Sequence, residues 1–307
     1  MEALLRRLDN FQRSHRLPAF LWAVQKKFSD DRGGYLCALI SYYGFLSVFP
    51  LLLAAFTVAA YVLAGDTTAI RSVASHLDSY PVIGPAVVDL EGKHLGGSPL
   101  ALAVGLVGLV LGAQGLAQAS MFASAEAWDV PQAKRPGFAT RLTRGAWWYV
   151  SFGLGVVAST FVSSMGGLLH WSGGPALSSL IAVTFDASIF VALFRIVTPA
   201  EVPLRSVAPG AAAAGVTWGV LTGVGVGLVP LLAHANPMYG TFAPVLGGLA
   251  FIYLMARVSI LCIEANAVWD RHLWPRSLDG KNPTPADVLA KELRAAAEAP
   301  VTDPQAG

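Results

Sequence analysis

Six stretches of this chain are apolar on all sides and long enough to cross a lipid bilayer: Leu36 to Leu63, Leu100 to Phe122, Trp147 to Leu169, Leu177 to Val197, Pro209 to Leu232 and Phe242 to Val268. A hydrocarbon core about 30 Å thick takes about 20 helical residues. The runs do not alternate apolar and polar residues, so the strands of a membrane barrel are excluded. Only 13% of the 307 residues are charged, against roughly 25% in soluble domains. The expected fold is therefore an all-α integral membrane protein with six transmembrane helices. A net charge of +2, without a concentrated basic face, argues against a nucleic-acid partner. Cys37 and Cys262 lie inside apolar runs and imply no disulfide framework. The first run begins after 35 residues and far exceeds a signal-peptide core, so no cleavage is expected.

Basic residues set the expected orientation. Eighteen of the 21 Lys and Arg fall before the first run, in the loop after run two, flanking the turn after run four, or in the tail after run six. Arg71 and Lys93 alone lie in the alternate loops, and Arg257 lies within a run. Positive charge stays on the cytoplasmic side, so both termini are expected in the cytoplasm.

The parts outside the runs also carry pattern. In residues 1–35, Leu4, Leu8 and Phe11, then Leu17, Phe20, Leu21, Val24 and Phe28, recur at helical spacing among Arg and Lys. They read as amphipathic N-terminal helices against the inner leaflet, with packing on cytoplasmic loops as the competing reading. Residues 36–268 form the transmembrane domain. Within it, about 64–99 read as a short helical outer cap, where Ile70, Val73 and Leu77 share a face. Residues 269–307 form a cytoplasmic tail, in which Thr284, Pro285 and Asp287 mark the start of a short helix.

Two glycine stripes predict close helix contacts: Gly105, Gly108, Gly112 and Gly115 in the second run, and Gly215, Gly219, Gly223 and Gly227 in the fifth. Such faces also suit a homo-oligomer. Pro50, midway along the first run, predicts a kink.

Ionisable residues at bilayer depth are costly and mark function by default. Asp186 lies halfway along the fourth run, and Arg257 near the middle of the sixth, with Glu264 two turns beyond it. Depth alone suggests that Asp186 and Arg257 approach as an ion pair or through water. Arg195, near the end of its run, is expected to snorkel to the headgroups. Tyr43, Ser47, Gln114 and Gln118 are polar positions on the first two runs, suited to lining a cavity that holds an amphiphile or an ion. No catalytic site is expected. The six His are scattered, and P-loop, GxSxG and zinc-type cysteine patterns are missing, so neither an enzyme nor a cofactor is expected.

Ala38-Leu-Ile-Ser-Tyr-Tyr-Gly-Phe-Leu-Ser-Val-Phe-Pro50 resembles the A-x-x-x-Y-Y-x-x-x-S-x-x-P signature of the YihY/BrkB membrane proteins. Trp128-Asp-Val-Pro with Arg135-Pro136 and Arg141 is similar to the basic loop after that family's second span. Pro199, Val202-Pro-Leu-Arg205 and Pro209-Gly210 resemble its linker. Tyr239-Gly240-Thr241 and Glu264-Ala-Asn266 are similar to its last-span elements, which brings Asn266 into the candidate site. Cys262-Ile263 replaces the usual glycine-alanine pair. The resemblance implies six spans with cytoplasmic ends. An older ribonuclease label for the family does not fit this chain, which lacks a His/Asp metal cluster and a basic RNA surface. The resulting expectation is a transporter or exporter of an amphiphile, lipid or small solute across the bacterial inner membrane, driven without nucleotide. A non-transporting scaffold and an ion or proton exchanger are the alternatives. Membrane lipids are the expected partners.

Overall fold

The computed structural model describes residues 2–62, 99–165, 174–199, 201–235, 242–278 and 282–299. Their regular structure is helical: α1 (Glu2–Ser14), α2 (Arg16–Asp30), α3 (Gly33–Val62), α4 (Pro99–Ala127), α5 (Phe138–Met165), α6 (Gly174–Val197), α7 (Leu204–Ala235), α8 (Phe242–Asp270) and α9 (Pro285–Glu298), with a 3₁₀ turn at Gln132–Lys134. Helices α3 to α8 run for 24 to 32 residues each. At 1.5 Å per residue, each exceeds the thickness of a hydrocarbon core. Among the described residues, three segments are long and apolar enough to cross a membrane: Ala103–Ala127, Leu180–Val197 and Val245–Asp270. The predicted outer cap lies outside the described residues, except for Pro99, which begins α4.

Several helices outrun their apolar stretch. α4 continues to Ala127, α5 begins at Phe138 instead of Trp147, and α7 begins at Leu204 instead of Pro209. Hydropathy registers where a helix would meet acyl tails, whereas the backbone keeps its hydrogen-bond ladder one or two turns further.

The chain divides into two compact units, one of Met1–Leu36, Ser120–Val216 and Arg257–Gly307, the other of Cys37–Ala119 and Thr217–Ala256. In the second unit, three signature residues of α3 meet the glycine stripe of α4. A Cβ on Gly115 would fall 2.3 Å from the Tyr43 ring, one on Gly112 would fall 3.1 Å from the Ser47 backbone, and one on Gly108 would fall 3.0 Å from Pro50. The pairs run in opposite directions along the two helices, one turn apart. Lipid gives no hydrophobic drive between helices, so close backbone approach and dispersion hold such a pair. The two sequence features thus turn out to be the two sides of one interface.

In the first unit the apolar core gathers around Trp128, which is 2% exposed, with Val130, Phe194, Val207, Ala211, Ala214, Ile263 and Ala267. The fifth-run stripe is used here: a Cβ on Gly215 would lie 2.6 Å from the Ala187 backbone. A second cluster joins Ala23 and Val24 of α2 to Val268 and Leu273.

The apolar residues of the N-terminal helices divide: Val24 and Phe28 are buried, and Phe20 packs beside Val24. In α2 the buried residues are Ala19, Ala23, Val24, Lys27 and Phe28, while Leu17 and Leu21 are exposed. Small alanines let α2 come close to α8, and the larger leucines stay outside. In α1 the polar Asp9 and Gln12 are buried, and Leu8 and Phe11 are exposed. Gln12 Nε2 donates to the Arg276 carbonyl at 2.7 Å, and the Leu278 amide donates to Asp9 at 2.9 Å.

The tail docks on the same helices. Thr284 and Asp287 form a reciprocal capping box at the start of α9, as the sequence predicts. Asp287 also accepts from Lys26 at 3.0 Å, Arg276 at 2.9 Å and the Ser277 amide at 2.9 Å. Burial works against the ionised Asp287 carboxyl, but these donors and the Thr284 amide outweigh it and hold its pKa well below the usual carboxylate range.

Candidate functional site

The charges of the first unit converge where α2, α4 and α8 end or pass. Two of these ends share one device. After α4, the Asp129 amide donates to Glu126 and the Val130 amide to Ala125, both at 2.9 Å. After α8, His272 donates to Trp269 and Leu273 to Val268. Asp129 and His272 have φ of 44° and 56°. These are helix terminations through one left-handed residue, each followed by a buried apolar residue, Val130 or Leu273. Glycine usually takes the left-handed position, and aspartate is among the few others that tolerate it. Here it brings a carboxylate to the centre of the cluster.

That centre is Lys27. Its ammonium lies 2.5 Å from Asp31, 3.2 Å from Asp129 and 3.7 Å from Glu264. The Lys27 side chain is 3% exposed and that of Glu264 is fully buried. Arg271 donates to Asp129 at 3.0 Å and to the Trp128 carbonyl at 2.6 Å, with its guanidinium over the Trp128 ring. Neither carboxylate oxygen of Glu264 has a hydrogen-bond partner among the described residues.

Burial disfavours the charged form of Lys27, but Glu264, Asp31 and Asp129 together outweigh it and raise its pKa. Burial raises the pKa of Asp31, against the opposing pull of Lys27. With every group ionised, Lys27 and Arg271 face three carboxylates, one negative charge in excess. Arg294 acts on Asp31 from α9 but is also paired with Glu298 at 3.0 Å. A bound proton would bring this enclosed set to neutrality. Beside the cluster lies a polar recess of about 30 Å³, lined by residues that include Asp31, Glu126, Asp129, Arg135, Arg294 and Glu298. That is room for about one water molecule. Among the described residues, no group of three or more His, Cys, Asp or Glu is arranged to hold a metal ion.

The predicted site residues fall into separate places. Glu264 sits with Lys27, Asp31 and Asp129, not with Asp186 or Arg257. Arg257 is exposed, makes no ion pair among the described residues, and sits over the Phe28 ring at 5.6 Å. The direct pair with Asp186 is therefore replaced by an aromatic contact: a long side chain of α8 reaches toward α2 instead of across to α6. Asp186 is half-buried where the α6 backbone meets Gly215. Asn266 is a clamp: its Oδ1 accepts the Gly210 amide and its Nδ2 donates to the Val207 carbonyl, both at 2.8 Å. Arg195 reaches past the end of α6, where it donates to the carbonyls of Pro199 and Val202. In the second unit the Tyr43 ring lies on Gly115, and the Ser47 hydroxyl donates to Gly44 of its own helix at 2.7 Å. Gln114 and Gln118 are half-buried on α4.

Sequence reasoning missed Lys27, Asp31 and Asp129. A signal existed for the first two: Ala19, Ala23, Lys27 and Asp31 stand four apart, on a different stripe from the leucines. Asp129 gave none, because a left-handed helix end cannot be read from Trp-Asp-Val-Pro alone.

A family model described as Virulence factor BrkB matches residues 24–286, the span that holds every residue of this cluster. No curated protein and no solved structure matches the chain.

Proposed function

We propose a function for a chain that belongs to the virulence factor BrkB family: it crosses a bacterial inner membrane six times, with both ends inside, and moves an amphiphile, lipid or small solute without hydrolysing nucleotide. One observation carries this reading. Glu264, on an apolar helix, is fully buried beside the ammonium of a helix that precedes the spans, and its carboxylate oxygens lack hydrogen-bond partners among the described residues. An ion pair so enclosed, with no hydrogen bond to satisfy the carboxylate, is costly, and apolar residues in such a place often leave a bundle as stable. In this reading the cluster gains and loses one proton, and α2 binds more tightly when the cluster is neutral. Proton exchange then drives or gates the movement of cargo.

The basic residues on the ends of the long helices support cytoplasmic termini. The exposed Leu8, Phe11, Leu17 and Leu21, beside Arg7, Arg13 and Arg16, support a seat for α1 and α2 on the inner leaflet.

The test is flux in proteoliposomes with an imposed pH gradient, using a fluorescent phosphatidylglycerol as the probe lipid. Wild-type protein is expected to move the probe, and Glu264→Gln to slow it about tenfold or more, the scale at which one essential proton group acts. Equal flux in wild type, Glu264→Gln and Asp186→Asn would remove both carboxyls from the mechanism.

A further inference from the structure

Arg257 lies inside Val245–Asp270, the most carboxy-terminal of the three segments able to cross a membrane, yet it is exposed on the protein surface. Its recorded contact is with the Phe28 ring, 5.6 Å from guanidinium to centroid. Phe28 is itself 6% exposed and rests on Gly33, where a Cβ would stand 2.3 Å from the ring. The bare backbone at Gly33 thus makes room for the ring on which Arg257 sits.

This geometry leaves a defined chemistry unused. A cation over a ring face is held by the ring quadrupole, which leaves the five N–H donors of the guanidinium free to meet oxygen acceptors. Among the described residues none of these donors meets a carboxylate or a carbonyl. A cation on a membrane-facing helix needs a counter-ion, and two parallel N–H groups match two oxygens of a phosphate. We infer that Arg257, seated on Phe28, binds the phosphate of an anionic phospholipid in the leaflet that α2 adjoins. The inference rests on the membrane reading above and names the headgroup chemistry that this face recognises. Phe28 and Lys27 are consecutive, so the lipid seat and the carboxylate cluster are linked through α2.

Native mass spectrometry of protein released from nanodiscs of phosphatidylglycerol tests the site. Wild type is expected to retain a bound lipid, Arg257→Gln to lose about tenfold in retention, and Arg257→Lys to fall between, because lysine keeps the charge without the fork. Phe28→Leu is expected to weaken retention without abolishing it. Retention is read without a pH gradient and without flux, so failure here is separable from failure of the flux experiment. Equal retention by wild type and Arg257→Gln would overturn the site. Displacement of the lipid by millimolar inorganic phosphate would assign the arginine to a soluble anion, and a change in oligomeric mass in Arg257→Gln would assign it to a second copy. Either result overturns the lipid assignment.

Discussion

The ammonium of Lys27 lies 3.7 Å from Oε2 of Glu264, so a helix that precedes the long apolar runs supplies the countercharge for a carboxylate on the last of them. Neither residue is enclosed by its own helix alone. Each is buried because α2 lies against α8 through Ala23, Val24 and Val268.

Lys27→Met is the first test of that relationship. It leaves Asp31, Asp129 and Glu264 enclosed with no ammonium, and breaking a buried ion pair from one side costs about 3–5 kcal/mol. A lower apparent Tm in detergent is expected. Combining it with Glu264→Gln removes one of the stranded charges, so the double variant should recover part of the loss, with a coupling of about 0.5–3 kcal/mol. Strictly additive losses would show that the two side chains do not act on each other.

Glycine substitutions rank the helix contacts. A Cβ on Gly210 would lie 2.3 Å from the Cys262 carbonyl oxygen, which is backbone, whereas one on Gly115 would meet the Tyr43 ring at the same distance. A ring can turn aside and a helix backbone cannot. Gly210→Ala is expected at or above the upper end of the usual overpacking cost of about 1–3 kcal/mol, and Gly115→Ala near the lower end. Thermal unfolding of the two variants in one detergent checks the order. The reverse order would mean that α7 and α8 shift apart more readily than the Tyr43 ring turns.

Much of the fold was legible because long apolar runs leave a chain few alternatives. The glycine stripe of α4 and the Tyr43–Ser47–Pro50 pattern of α3 were both visible, although their mutual fit was not: sequence gives the period of a face and not its partner. The site was legible at Glu264, since a carboxylate in an apolar run stands out. Its partners were hidden, because Lys27 resembled the other basic residues before the first run and Asp129 depends on a helix end. Asn266 was visible only through a family resemblance, and it holds the α7 backbone instead of lining a cavity.

Asp287 gives the tail a pH dependence of definite sign. Its pKa is depressed in the folded protein, so it stabilises the docked tail above its unfolded value of about 3.9, and that contribution is lost as pH falls through and below this value. Hydrogen exchange of the amides in 271–278 and 282–298 should therefore accelerate on acidification below about pH 4, after correction for intrinsic chemistry. Asp287→Asn should show fast exchange already at neutral pH. An equally protected tail in that variant would show that the apolar contacts of Leu273, Ala290 and Leu293 hold it without the charge.

The central claim is that the state of the Lys27–Asp31–Asp129–Glu264 cluster sets how firmly α2 is held. The pKa values of Asp31 and Lys27 are both raised in the docked protein, so docking weakens as pH rises, the opposite sign to the tail. The most direct measurement is hydrogen exchange of the α2 amides in nanodiscs, at about pH 5.5 and about pH 8, for wild type and Glu264→Gln. The account predicts α2 exchange in wild type that is faster at the higher pH after intrinsic correction, and exchange in Glu264→Gln that is slow at both. Protection of α2 in wild type that is the same at both pH values, or a pH response that survives in Glu264→Gln, would contradict it.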